Sequence, residues 1–389
     1  MRSGLFVLAV VGGLAGPAVS QCDPVFVGSY PLSLASAVHL EGTTAYVTNS
    51  ALGLYLINVA DPAHPSLIGW VDPSSQARNV DVQGDLALLA GGFSIEVECI
   101  GLSNPAAPSI LGKLDAPDAH WSGNDVEMMG GYAYVAEQND TAPPHALRVL
   151  DISSPASPAL LNTVYTPGQP KALWREGTRL YLADGGGAFQ SGLLVYDISV
   201  PTAPALLGRF NTSDYAIDVK VVGDLAYVSD YEDGMDIIDV SDPANMSLVG
   251  SIDFTYYCYG LGVSNGVAYI ANWSNGLRVV DVSDPTHPTL IRTIDLSDIP
   301  LDVQISGNYL YVAWRSLGLR IYDISGCGTP APCNDADFSA PFGTLDLADI
   351  TAFVAAFMGQ DAAADLEPDG LFDLLDVLAF VGAFSGGCP

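Results

Sequence analysis

Ala226-Tyr227-Val228-Ser229, then Met235-Asp236-Ile237-Ile238-Asp239-Val240-Ser241-Asp242-Pro243, then Leu248-Val249-Gly250, forms one copy of a pattern that runs through this chain. The next copy reads Ala268-Tyr269-Ile270-Ala271, then Gly276-Leu277-Arg278-Val279-Val280-Asp281-Val282-Ser283-Asp284-Pro285. The prolines Pro62, Pro105, Pro155, Pro201, Pro243 and Pro285 stand 43, 50, 46, 42 and 42 residues apart. Within each unit, runs of Val, Ile, Tyr and Leu suit a pleated, buried sheet, and Gly-Asp, Asn-Gly and Asp-Pro mark the turns between them. A period of about 40 to 45 residues with several short strands reads as a propeller blade rather than a helical solenoid.

Tyr-Val-Ala-like strands recur at 45–48, 87–90, 133–136, 180–183, 226–229, 268–271 and 310–313, which predicts an all-β propeller of seven four-stranded blades. The last copy stops at Ile321-Tyr322-Asp323-Ile324-Ser325 with no outer strand to follow. Val25-Phe26-Val27-Gly28-Ser29, near the N-terminus, is similar to the outer-strand piece Leu248-Val249-Gly250-Ser251. The N-terminal strand is therefore expected to complete the final blade and remove two open sheet edges. That closure brings Cys22 beside Cys327, which occupies the Asp-Pro slot of the seventh copy, and predicts a disulfide across the seam.

With these residues in view, the repeats resemble the LVIVD-repeat propellers of extracellular and cell-surface bacterial proteins, over roughly residues 23–325. The resemblance implies a fold more than an activity, because propellers host hydrolases, lyases, dehydrogenases and binding platforms alike. The second copy, Ile95 to Pro105, departs from the pattern by losing the Asp.

Forty-four acidic residues against thirteen basic ones leave a net charge of −31. Such a field repels nucleic acid and anionic lipid, which excludes nucleic-acid partners. The chain opens with Met1-Arg2, an apolar run from Leu5 to Leu14 and Ala18-Val19-Ser20, the form of a secretory signal peptide over residues 1–20 rather than a membrane span. No second segment is long and apolar enough to span a bilayer, so the mature protein is expected outside the cell.

After a propeller at 21–326 and a linker at 327–332, residues 333–389 carry ten acids and no Lys or Arg. Asp365, Glu367, Asp369, Asp373 and Asp376 take loop positions 1, 3, 5, 9 and 12, with Gly370 at position 6. A hard cation such as calcium needs six to eight oxygens around a sharply turned loop, and this spacing supplies them. The unit is duplicated 27 residues earlier, where Asp337, Ser339, Asp346 and Asp349 offer a weaker set. Each loop runs into a helix whose aromatic and aliphatic residues are spaced to pack the two units face to face. The pair resembles a dockerin, in the variant bracketed by an early Cys and a terminal Gly-Cys-Pro. This resemblance implies a Cys333–Cys388 clasp, bound calcium, and a cohesin-like or other surface-anchoring partner. Leu347-Ala348 and Leu374-Leu375 are apolar where many dockerins carry hydroxyls, which points away from a familiar cohesin.

On the propeller, the loops after the Tyr-Val-Ala strands share a face with those linking the blades. Tyr231, Tyr257, Trp273 and Trp314 fall there and form a candidate ligand face, since aromatics with carboxylates suit sugar stacking or cation capture. Asp125, Asp218 and Asp302, with Asn79, recur on the inner strands, where the expected role is to bond backbone amides of a neighbouring blade. Asp151, Asp197, Asp239, Asp281 and Asp323 precede Ser at turns and are expected to cap backbone N–H groups. Cys99 and Cys258 are expected to be buried, and no catalytic residues are assigned. The composite reading is a secreted binding or scaffold propeller, carrying a polysaccharide or protein ligand and tethered by its calcium module. The alternative is a polysaccharide hydrolase or lyase delivered by the same module.

Overall fold

The computed structural model describes residues 22–328 except 52, 75, 93–94, 117–119, 140, 142 and 187–191, together with 347–359, 364, 366 and 376–381. The chain divides after Gly326, with Cys22–Gly326 forming one compact unit. Within that unit the described residues build seven antiparallel four-stranded sheets. In chain order the blades span 35–71, 76–115, 121–166, 169–210, 216–252, 261–294 and 300–323. The seventh takes its outer strand, Val25–Tyr30, from the N-terminus, where it pairs antiparallel with Gly318–Asp323.

The middle strands of each blade are buried on both faces, which is why they read as continuous apolar runs; Leu54, Leu56 and Ile57 of the first blade are all 0% exposed. Core clusters form between neighbouring blades: Tyr46 and Leu54 of the first blade pack with Val80 and Leu89 of the second. At the seam, Val38 and Val47 of the first blade pack with Tyr311 and Ile321 of the seventh.

One contact explains both signature pieces of the repeat. The outer-strand glycine of one blade lies against the Asp-Pro turn of the next, so closely that a Cβ on Gly69 would stand 2.3 Å from the Pro105 carbonyl oxygen. Gly28 meets Pro62 in the same way at the ring closure, again at 2.3 Å. Only glycine lets two backbones approach this closely. The turn itself is held by the preceding Asp: the Ser153, Ser199, Ser241, Ser283 and Ser325 amides donate to Asp151, Asp197, Asp239, Asp281 and Asp323. These hydrogen bonds hold the Asp151 and Asp239 carboxyls below the usual carboxylate range.

The disulfide joins Cys22 to Cys327. Cys99 and Cys258 are free and buried, and burial pushes both thiols up to about 12.

In the C-terminal unit, a helix spans Leu347–Gly359 and residues 376–381 are helical. Phe353 and Phe380, equivalent positions of the duplicated sequence, stack at 4.1 Å with 8° between their planes. Around them gather Ala356, Phe357, Ala364, Leu366 and Val377. Asp376 is buried at the start of the second helical stretch, and Asp349 lies within the first helix. Asp337, Ser339, Asp346, Asp365, Glu367, Asp369, Asp373, Cys333 and Cys388 lie outside the described residues, as do residues 1–20, where a leader is expected. Among the described residues, no helix is long and apolar enough to cross a membrane.

Candidate functional site

The inner strands of six blades, with Tyr259 and Gly260 ahead of the sixth blade's inner strand, line a central cavity of about 560 Å³. Because side chains alternate along a strand, only every second inner-strand residue faces the axis, and the channel is built in layers. Its middle layer holds Asp125, Asp218 and Asp302, on the third, fifth and seventh blades. Each carboxylate accepts the amide of the residue after it, from Val126, Val219 and Val303, at 2.8 Å in every case. The other oxygen accepts an amide from the next blade: Leu173 at 2.7 Å, Leu261 at 2.9 Å and Val38 at 2.8 Å. The receiving blades carry small residues in this layer, namely Ala172, Gly260 and Ala37. A Cβ on Gly260 would stand 2.6 Å from Asp302 Oδ1. These aspartates are scaffold, as their recurrence implied. Among the described residues, Asn79 of the second blade accepts its own neighbour's amide, from Val80, and none from the next blade, while Asp81, two residues on, accepts the Met128 amide of the third blade at 2.6 Å.

Burial dominates the electrostatics of this layer. It pushes Asp125 up to about 7 and Asp302 up to about 6, against the opposing pull of the donated amides and of Lys220. Lys220 sits 3.0 Å from Asp218 and 5.1 Å above the Trp174 ring. Nearer the end of the inner strands, Arg175 pairs with Glu127 at 3.0 Å, and His39 faces Asp81 at 3.6 Å. His39 thus lies mid-strand in the channel wall, facing an acid of the neighbouring blade. Burial lowers its pKa and raises that of Asp81.

The other end opens on the loop face. There Arg78 donates to Asn124 at 2.7 Å, Asn124 donates to Gln138 at 3.0 Å, and Lys171 donates to Gln138 at 2.6 Å and Gln169 at 3.1 Å. Four of the thirteen Lys and Arg residues, Arg78, Lys171, Arg175 and Lys220, line this one cavity.

Across the mouth stands a cluster of aromatic rings. Tyr231 stacks on Tyr257 at 4.2 Å and 9°, and Tyr215 packs edge-on to Tyr231 at 5.6 Å. Trp273 stacks on Tyr259 at 5.5 Å, and Tyr259 itself lines the channel. Tyr231 and Trp273 occupy the same position of identical turns in the fifth and sixth blades, closed by the Gly234 and Gly276 carbonyls accepting the Asp230 and Asn272 amides. Both adopt left-handed backbone, φ 37° and 39°, and Tyr256 does so at 70°. Such conformations cost roughly 1–3 kcal/mol each and persist where the surroundings impose them, often at ligand sites. The linker carrying Tyr257 is pinned between them: the Cys258 amide donates to the Tyr231 carbonyl and the Asn272 side chain to the Tyr256 carbonyl, both at 2.8 Å.

Tyr231, Tyr257 and Trp273 therefore come together, but Trp314 does not join them. It is fully buried, at 0% exposure, and belongs to the core of the seventh blade. Its position in the repeat is that of the buried Asp230 and Asn272, and Arg315 takes the place of Tyr231 and Trp273. Aligning the turns by their closing glycines, Gly234, Gly276 and Gly318, separates the two Trp residues.

The LVIVD repeat model matches residues 34–73, 122–166, 168–212, 214–254, 258–295 and 301–331. The chain belongs to the LVIVD-repeat family. The LVIVD match passes over the second blade, whose copy lacks the signature Asp, although the structure forms a complete sheet there. No curated protein matches the sequence. Among solved structures, the chain is similar to the computationally designed Ika8 protein, with a TM-score of 0.55 and 10% identity over 77% of this chain and 99% of that one. It is also similar to the β-propeller domain of Cps50 (Swd1) from Myceliophteria thermophila, at 0.61 and 10% over 78% and 100%. The WD40 β-propeller domain of Doa1 scores 0.59 at 11% identity over 77% and 97%. At these identities the likeness is one of fold.

Proposed function

We propose that this LVIVD propeller is an extracellular binding and scaffold protein that holds a polysaccharide at the mouth of its channel. The observation that carries this reading is the cluster of Tyr215, Tyr231, Tyr257, Tyr259 and Trp273, displayed on left-handed turns and continuous with the channel wall. Aromatic faces stack on the apolar faces of sugar rings, and the amides and cations across the mouth match their hydroxyls. The channel aspartates are engaged by backbone amides, which favours binding over a hydrolase or lyase mechanism.

Export is supported by the leader-like residues 1–20 and by the Cys22–Cys327 bond, a linkage that persists in oxidising compartments. The acidic tail acts, in this reading, as a calcium-dependent tether to a surface protein through its duplicated loops, with Asp365, Glu367, Asp369, Asp373 and Asp376 as principal ligands.

Affinity electrophoresis of the full-length protein in gels cast with neutral and uronic-acid polysaccharides tests the binding reading. Retardation in one polysaccharide that is lost in Tyr257→Ala and Trp273→Ala is the expected result. Migration unaffected by every polysaccharide would overturn it.

A further inference from the structure

The Gly-Leu-x-Val strand presents its x residue toward the last residue of the Tyr-Val-Ala strand, and in the third, sixth and seventh blades x is an arginine, Arg148, Arg278 and Arg320. In the third blade, Arg148 forms a buried ion pair with Glu137. In the sixth, Arg278 donates to Asn272 at 3.0 Å. In the fourth, x is Leu194, and Arg209 from the paired outer strand supplies the charge that pulls on Asp184. In the fifth, x is Asp236 and its counterpart is Asp230, two carboxylates with no cation at either position.

Asp236 is only 7% exposed and accepts no hydrogen bond among the described residues. It lines a cavity of about 410 Å³ with Asp233, Asp253, Ser251, Asn211, Thr212 and Ser213. Asp230 is wholly buried; its Oδ2 accepts the Asp214 amide at 3.0 Å, while its Oδ1 accepts no well-aligned hydrogen bond, although the Thr212 hydroxyl stands close. Burial, reinforced by Asp230, Asp233 and Asp253, pushes Asp236 up to about 7. The charges acting on Asp236 are all carboxylates.

We propose that this cavity is a calcium site, in which a bound ion takes the place that arginine holds in the third, fourth and sixth blades. Beside Phe210 and Leu248, the lining is carboxylates, hydroxyls and a side-chain amide, the hard oxygen set that calcium selects. Among the described residues no three acidic side chains yet converge on one point. Like charges splay apart, and Asp233 and Asp253 are exposed enough to turn inward onto an ion. This site is independent of the tail loops and of the polysaccharide reading.

Terbium, a luminescent substitute for calcium, separates the two regions in the full-length protein. Excited tyrosine transfers energy to a nearby terbium ion; Tyr215 and Tyr231 neighbour Asp214 and Asp230, whereas residues 333–389 contain no Tyr or Trp. The expected result is saturable tyrosine-sensitised emission, displaced by calcium and retained in Asp365→Ala. In Asp236→Asn the midpoint should rise at least tenfold, and in the exposed Asp253→Asn severalfold. Asp236→Arg, which restores the residue of the sister blades, should abolish the signal and melt no lower than the calcium-free wild type. Absence of saturable emission in the wild type overturns the site. So does emission unchanged in the Asp236 variants, or emission lost in Asp365→Ala instead.

Discussion

Asp302 accepts the amide of Val38 at 2.8 Å, a hydrogen bond between residues 264 apart in sequence that carries the inter-blade pattern across the point where the ring closes. Asp302→Ala leaves the Val38 and Val303 amides without acceptors and is expected to cost about 1–3 kcal/mol for each buried amide orphaned. Asp302→Asn, which keeps one acceptor oxygen, should lose less. Urea unfolding of the two variants measures the difference, and equal stability to wild type would remove the carboxylate from the closure.

The pH dependence follows from the same layer. Burial raises Asp125 to about 7 and Asp302 to about 6, whereas an unfolded Asp titrates near about 4. Between those limits the folded chain holds protons that the unfolded chain has released, so stability falls as pH rises through this window. The melting temperature should be higher at pH 5 than at pH 8, and Asp125→Asn should flatten the difference. A rise in stability over that interval would contradict it.

Glycines in two settings should respond differently to alanine. A Cβ on Gly69 meets the Pro105 carbonyl oxygen at 2.3 Å, so Gly69→Ala must separate two blades, at about 2–3 kcal/mol by the usual cost of overpacking. Gly84, at φ +60° with open space around it, should cost about 1–2 kcal/mol from left-handed backbone alone. Chemical denaturation and a crystal structure of Gly69→Ala would show whether the blades have moved.

Removing one partner of the buried Glu137–Arg148 pair should be more damaging than removing both. Arg148→Met strands a carboxylate that is 0% exposed, for an expected loss of about 3–5 kcal/mol. Adding Glu137→Gln should recover much of it. A double-mutant cycle in urea reads the coupling, and additive losses would argue against a pair.

Without the Cys22–Cys327 bond, the closing strand Val25–Tyr30 is held only by its ladder and packing. Cys22→Ser with Cys327→Ser should lose up to about 5 kcal/mol on the chain-entropy model of so long a loop. Limited proteolysis should then cut first before residue 35. Unchanged protection would show that the strand is secured by its hydrogen bonds alone.

Blade count, ring closure and the seam disulfide were legible because each depends on counting repeats and finding the missing piece, operations that need no side-chain geometry. The duties of Asp125, Asp218 and Asp302 were legible for a related reason: a residue repeated on the inner strand has the same neighbour each time. Trp314 was misread because proximity in sequence to a turn does not say which side of the sheet a ring enters. Its alignment with Asp230 and Asn272 carried that information. Asp81 went unnoticed because it lies two residues out of register with the other channel aspartates. Asp236 reads as one more acid in an acidic chain until sheet pairing sets it across from Val228, on the face that Asp230 shares two residues on, in a slot where three sister blades carry Arg.

The middle layer of the channel alternates donor-accepting Asp blades with small-residue blades: third and fourth, fifth and sixth, seventh and first. Such a two-step pattern fits any ring with an even number of members, but here the number is odd, so one blade must lack a mate. The second is that blade. It has Asn79 where the pattern calls for Asp or a small residue, reaches its neighbour through Asp81, and is the copy that the family model passes over. Its divergence is the local resolution of a parity conflict that no substitution elsewhere in the ring could remove, only relocate.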